Sequence, residues 1–265
     1  EPLSRPLDFS VERGERVVLK GANGIGKTTL FRTILGQIAP LSGTVELGDY
    51  LEIGYFEQEA DPGSTSTCIE ELWKEFPSYT QYQVRAALAK CGLTTKNIES
   101  QVRVLSGGEQ AKLRLCKLIN RESNVLFLDE PTTGLDIQTR NVIWTLLKKL
   151  QKEQKLTIFL TTHYLEEANE ADLIYVLENG HVLAQGSADE LRRKYAQTEL
   201  KLVFTKDPQL DGGHRVASKS YLFSDVDSLA AIKLIEHYKD KLLTFEYREG
   251  TLNDAFIAIT GKELQ

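Results

Sequence analysis

The sequence predicts an α/β chain built on a buried parallel sheet, with a helical insert in its middle third and a small α+β module at its carboxyl end. Three observations carry this. Gly21-Ala22-Asn23-Gly24-Ile25-Gly26-Lys27-Thr28-Thr29 satisfies G-x-x-x-x-G-K-S/T between a short β-branched run, 16–20, and an unbroken helical stretch, 30–35. Asn124 opens a continuous apolar run, 125–128, that ends in Asp129 and Glu130, as a strand covered on both faces does. Residues 67–119 carry helical spacing and no strand pattern, whereas the chain after 196 alternates strand-like and helix-like runs.

In the loop, the glycines let successive N–H groups turn inward, and the following helix adds its own unpaired N–H groups and positive dipole end. A phosphate belongs there. Asn23, Gly24, Ile25, Gly26, Lys27, Thr28 and Thr29 form the expected cradle, with Lys27 reaching the β- and γ-phosphates and the Thr28 hydroxyl on Mg²⁺. The segment 7–47 is expected to run strand, phosphate loop, helix and a Pro40–Gly43 turn into a strand-like 44–47, and 50–56 continues with alternating apolar residues to end at Glu57-Gln58-Glu59. Residues 61–66 read as loop, and helices are expected at 67–74, 82–90 and 110–119. The last is introduced by Leu105-Ser106-Gly107-Gly108-Glu109-Gln110, which is either an ordinary N-cap or a second anion site.

Ligands bind at the carboxyl ends of parallel strands, so Asp129 and Glu130 should emerge beside the phosphate loop. Asp129 is expected to hold Mg²⁺ through water, and Glu130 to orient and polarise the water attacking the γ-phosphate. A turn at 132–136 leads to an amphipathic helix, 139–151, with Val142, Ile143, Leu146, Leu147 and Leu150 on one face. The strand at 156–162 ends at His163, again at the loop edge. Residues 172–177 and 181–185 flank Glu178-Asn179-Gly180 as a hairpin, and 189–196 is a charged helix. The tail follows as strand 199–204, strand 216–223, helix 226–239, strand 242–248 and helix 252–260. No catalytic cluster falls in it. The expected organisation is a domain over 1–195, with its helical part at about 62–122, and a regulatory or docking module over 196–265.

Composition narrows the function. At 265 residues and 41% hydrophobic the chain buries a full core, and its net charge of −6 leaves no nucleic-acid footprint, so no DNA binding is expected. No apolar run spans a bilayer and no export signal opens the chain, so a soluble cytoplasmic protein is expected. Cys68, Cys91 and Cys116 lack paired metal spacing and suit a reducing compartment. Met is absent throughout, and the abrupt start at Glu1-Pro2-Leu3 suggests a trimmed or redesigned chain.

The phosphate loop, Gln58, the Leu105–Gln110 stretch, Leu128-Asp129-Glu130-Pro131, Gly134-Leu135-Asp136 and His163 occur in the order of an ABC ATPase, which the chain resembles over about residues 1–195. The resemblance implies a P-loop NTPase core of RecA-like type with an antiparallel β subdomain, using ATP and Mg²⁺. It also implies that Gln58 senses the γ-phosphate and Mg²⁺, and that His163 contacts the γ-phosphate. Ser106, Gly107 and Gly108 would bind ATP held by an opposing subunit, and Asp136 would lie in the loop communicating across that interface. One phosphate loop and one signature per chain then require an ATP-dependent head-to-tail homodimer. Membrane permease subunits are the expected partners, placing the chain at the inner face of the membrane; a ribosome is the alternative. Residues 13–120, with Tyr55-Phe56-Glu57-Gln58-Glu59 and Gly107-Gly108-Glu109-Gln110-Ala111-Lys112, resemble ABC-F proteins. Thr133-Gly134-Leu135-Asp136, His163-Tyr164-Leu165-Glu166-Glu167-Ala168 and Thr260–Leu264 instead resemble the ATP-binding subunits of drug exporters. A hybrid joined between Asn120 and Pro131 is the expectation, and a hybrid that binds nucleotide without driving transport is a further alternative. The family stacks adenine on an aromatic residue before the phosphate loop, where this chain has only Phe9, so weak base discrimination is expected.

Overall fold

The computed structural model describes residues 7–56, 64–208, 210 and 212–261. Its apolar runs are strands because each is covered on two faces: β1 (Arg16–Lys20), β3 (Val125–Asp129) and β4 (Thr157–Thr162) are buried at every position. With β2 (Ile53–Phe56), β5 (Leu173–Glu178) and β6 (His181–Gly186) they form one sheet in the order β2-β3-β4-β1-β5-β6. The first five strands of that order are parallel. β6 returns through Asn179 and Gly180 at φ 48° and 75°, the two-residue turn whose twist matches its strands.

Register decides where the chemistry lies. Asp129 pairs with Thr161 and Lys20 with Thr162, so β1, β3 and β4 end level. Gly21, Glu130 and His163, each one residue beyond its strand, therefore leave from the same edge. Helix α1 (Lys27–Ile34) lies on this sheet through Phe31, whose ring centroid is 5.2 Å from that of Phe127 and 4.8 Å from that of Phe159.

The insert is helical because four capping boxes start four helices: Thr67 with Glu70 for α2 (Cys68–Glu75), Thr80 with Gln83 for α3 (Gln81–Lys90), Thr94 with Asn97 for α4 (Thr95–Glu99) and Ser106 with Glu109 for α5 (Gly107–Asn120). Leu72, Val84, Leu88, Leu113 and the three cysteines fill its core. The cysteines are free and buried; burial pushes the Cys68 thiol up to about 11, which leaves it inert. Helix α4 was not expected from periodicity, being too short to show any.

Residues 44–47, expected as a strand, have no regular structure. Val45 and Leu47 are exposed, and no neighbouring described strand pairs with them. Helix α6 (Ile137–Gln154) buries the row Thr139, Ile143 and Leu147 and leaves Val142 exposed, a narrower face than the one expected. The short helix α7 (Leu165–Ala168) follows β4.

The chain divides into two compact units, Glu1–Gln185 and Gly186–Gln265. Helix α8 (Ala188–Tyr195), placed before the boundary by sequence, packs on α10 (Leu252–Thr260) within the second unit. That unit is an antiparallel sheet, β10-β7-β9-β8, made of β7 (Glu199–Phe204), β8 (His214–Ala217), β9 (Ser220–Ser224) and β10 (Leu242–Arg248). Helix α9 (Ser228–Tyr238) covers its core of Leu200, Leu202, Phe204 and Tyr221. The single strand expected at 216–223 is the β8–β9 hairpin, turned at Ser218-Lys219 with Lys219 at φ 62°.

Candidate active site

The loop after β1 is shaped by its glycines. A Cβ on Gly21 would collide with Ile25 and stand 2.9 Å from the Leu177 carbonyl, while Gly24 and Gly26 lie at φ 79° and 97°. Helix α1 then starts at Gly26 with no side-chain cap. Every other described helix of eight residues or more has a Ser, Thr or Asp cap. Its first-turn N–H groups and dipole end thus face the concave loop without a protein anion, which fits a phosphate.

Lys27 is buried, and its ammonium donates to the carbonyls of Gly21 at 3.0 Å and Ala22 at 2.9 Å and to Glu130 Oε1 at 3.0 Å. All three protons are engaged. Glu130 sits at φ 45°, a left-handed conformation that costs a non-glycine residue on the order of 1–2 kcal/mol. Its own N–H donates to Thr161 Oγ1 at 3.0 Å, and its Oε2 accepts the Thr133 hydroxyl at 3.2 Å. His163 Nδ1 approaches that same oxygen at 3.5 Å, an ion-pair approach rather than a well-formed hydrogen bond. Burial pulls the Glu130 carboxyl up, but the Lys27 ammonium outweighs it and holds the group below the usual carboxylate range. Burial, with Lys20 and Lys27 nearby, pushes His163 down against the opposing pull of Glu130.

Asp129 is buried, and its Oδ1 accepts the Thr161 hydroxyl at 2.6 Å. Its other carboxylate oxygen has no donor among the described residues. No three His, Cys, Asp or Glu side chains converge as a metal cage among them either. A single free carboxylate oxygen fits an ion such as Mg²⁺, which takes few protein ligands and completes its shell from water and phosphate oxygens.

Glu130, His163, Lys27 and Asp129 are therefore brought together, and Asn23 to Thr29 surround the same end of β1. Gln58 lies outside the described residues. Ser106, Gly107 and Gly108 stand apart from this network at the start of α5: Ser106 Oγ accepts from Glu109 N at 3.3 Å, and Glu109 Oε1 accepts from Asn97 at 2.7 Å. A Cβ on Gly108 would stand 3.2 Å from the Thr139 methyl, a tight contact that a small shift of Thr139 relieves. Asp136 caps α6 by accepting from Thr139 N at 2.9 Å. The ring of Phe9 packs on Phe159 and Tyr175 at 5.7 and 5.6 Å, as part of the core.

Sequence reasoning missed Thr161, whose hydroxyl holds both acids of the β3 end. Aligning the two apolar runs in parallel would have set it opposite Asp129. It also missed Lys20 and Glu167, charged residues that are buried.

A family model described as ABC transporter matches residues 4–133. Nod factor export ATP-binding protein I of Ralstonia nicotianae is 33% identical over 287 residues, covering 98% of this chain and 89% of that protein. The chain belongs to the ABC transporter ATP-binding family. The ABC transporter ATP-binding protein YfmM of Bacillus subtilis is 58% identical over 173 residues, covering 64% of this chain and 33% of that protein. The chain thus spans about a third of this ABC relative's length. A dimeric post-hydrolysis structure of the ATP-binding cassette MJ0796 with ADP and Pi shares the fold, at TM-score 0.60 and 23% identity, covering 70% of this chain and 90% of that one.

Proposed function

We propose that this member of the ABC transporter ATP-binding family binds and hydrolyses ATP in a head-to-tail homodimer, as the energising subunit of a membrane exporter. The observation that carries the reading is the cluster of Lys27, Glu130 and His163 at one sheet edge, beside a helix start with no protein cap. Relatives that match 98% of the chain are named export ATP-binding proteins, which supports the exporter reading.

In the proposed reaction, residues Asn23 to Thr29 hold the phosphates and Lys27 exchanges Glu130 for a γ-phosphate oxygen. Glu130, so released, accepts a hydrogen bond from the attacking water. His163, kept neutral near pH 7, donates to the γ-phosphate. Thr28, Asp129 and Gln58 are the proposed Mg²⁺ ligands; the ion would neutralise charge on the phosphate oxygens. Ser106, Gly107 and Gly108 of the opposing subunit would close the site. No described helix is long and apolar enough to cross a membrane, and the exporter reading places the membrane path in permease subunits. Peripheral placement at the inner face follows from that partnership.

The hybrid reading is supported by one contrast: a relative 58% identical matches 173 residues, whereas those near 30% match nearly the whole chain. The ribosome-associated alternative gains nothing from these whole-chain relatives. Reconstitution with a candidate permease in vesicles tests the exporter reading: cargo movement that stops in Glu130→Gln supports it, and ATP turnover indifferent to every permease offered contradicts it.

A further inference from the structure

Two buried charges lie directly beneath the catalytic turns. Lys20, the last residue of β1, is 2% exposed, and its ammonium donates to the backbone carbonyl of His163. Glu167, on α7 just after His163, is 4% exposed and accepts the hydroxyl of Thr132, two residues after Glu130. Lys27, Glu167, Glu166 and Glu130 surround Lys20 electrostatically. On the outer side, the Arg140 guanidinium of α6 stacks on the Tyr164 ring at 4.0 Å and donates to the Leu135 carbonyl at 3.2 Å. Burying an ammonium and a carboxylate is costly unless each is paired and hydrogen-bonded, so these contacts are held in fixed geometry.

We propose that Lys20 and Glu167 are positioning residues for ATP hydrolysis: Lys20 fixes the His163 turn, and Glu167 ties that turn to the one carrying Glu130. The inference rests on the ATPase reading above. Glu130 and His163 belong to different strands, and their side chains meet only through Glu130 Oε2. The Thr132–Glu167 tie and the Lys20 anchor add to the Glu130–Thr161 bond in fixing the separation of the two turns, on which hydrolysis depends.

The test compares wild type, Lys20→Met, Thr132→Val, His163→Ala and the Lys20→Met/His163→Ala pair, with folding checked by circular dichroism. Steady-state kcat and KM are measured for ATP. The His163 ring cross-peak is followed by ¹H–¹³C NMR without nucleotide, assigned by its loss in His163→Ala. Lys20→Met should lower kcat at least about ten-fold with KM within about two-fold, lose this effect in the His163→Ala background, and move the cross-peak. Thr132→Val removes one hydroxyl at constant volume, should act the same way, and decides the matter if Lys20→Met does not fold. An unmoved cross-peak, wild-type kcat or additive losses in the pair would overturn the proposal. Wild-type protein without turnover contradicts the ATPase reading instead, and the nucleotide-free cross-peak then decides the positioning claim alone.

Discussion

Glu130→Gln should tighten binding of a non-hydrolysable ATP analogue, because Glu130 occupies the third proton of Lys27. The ion pair is 3.0 Å long between side chains only 4% and 9% exposed, so water screens it little. Hydrogen bonds to charged groups contribute about 1.5–3 kcal/mol; the bond between two charges lies toward the upper end, and the bond from the ammonium to the neutral Gln acceptor toward the lower end. The difference of up to about 1.5 kcal/mol is a gain in affinity of up to roughly ten-fold. Removing a carboxylate beside the γ-phosphate acts in the same direction. Titration calorimetry with the analogue and with ADP is the assay, and the gain should be several times larger for the analogue, which alone carries a γ-phosphate. Equal or weaker analogue binding in the variant would refute the claim that Lys27 must exchange Glu130 for phosphate.

Three further outcomes are expected. Phe31→Ala removes a fully buried ring from the Phe127 and Phe159 contacts and should cost about 3–5 kcal/mol in urea unfolding; less than about 1.5 kcal/mol would contradict the packing. Glu71 is held down to about 2 from its ordinary 4.5, first by the Ser64 hydroxyl and then by Lys117. Its contribution is present above 4.5 and lost as pH falls toward 2, so wild type and Glu71→Gln should differ in stability at pH 7 and converge near pH 2; a constant gap across that window would contradict this. With Phe9 turned into the core, ATP and GTP affinities should lie within about ten-fold in competition binding, and a larger preference for ATP would require another base platform.

The parts of this protein that were legible in its sequence are those where spacing alone imposes geometry. Lys27 must follow Gly26 for the loop to close on phosphate, and an apolar run ending in Asp129-Glu130 has one place in a parallel sheet. What escaped depends on neighbours distant in the chain. Thr161 matters because register sets it against Asp129. Lys20 and Glu167 are buried charges, and a Lys closing an apolar run reads equally as a solvated strand end. Val142 looks apolar in a helical wheel, yet only the Thr139, Ile143 and Leu147 row is buried. Helix α4 carried a readable signal, Thr94-x-x-Asn97, but five residues give no periodicity to support it. The hairpin at Ser218-Lys219 had neither Gly nor Pro to mark it.

The most direct test is steady-state ATP hydrolysis against protein concentration, with Glu130→Gln as the comparison and oligomeric state recorded by light scattering with ATP. Specific activity that rises with concentration and vanishes in the variant, with an ATP-trapped dimer of Glu130→Gln, is the predicted result. Full activity from a monomer at saturating ATP would contradict the composite two-chain site, and ATP binding with neither turnover nor dimer would contradict the catalytic role given to Glu130.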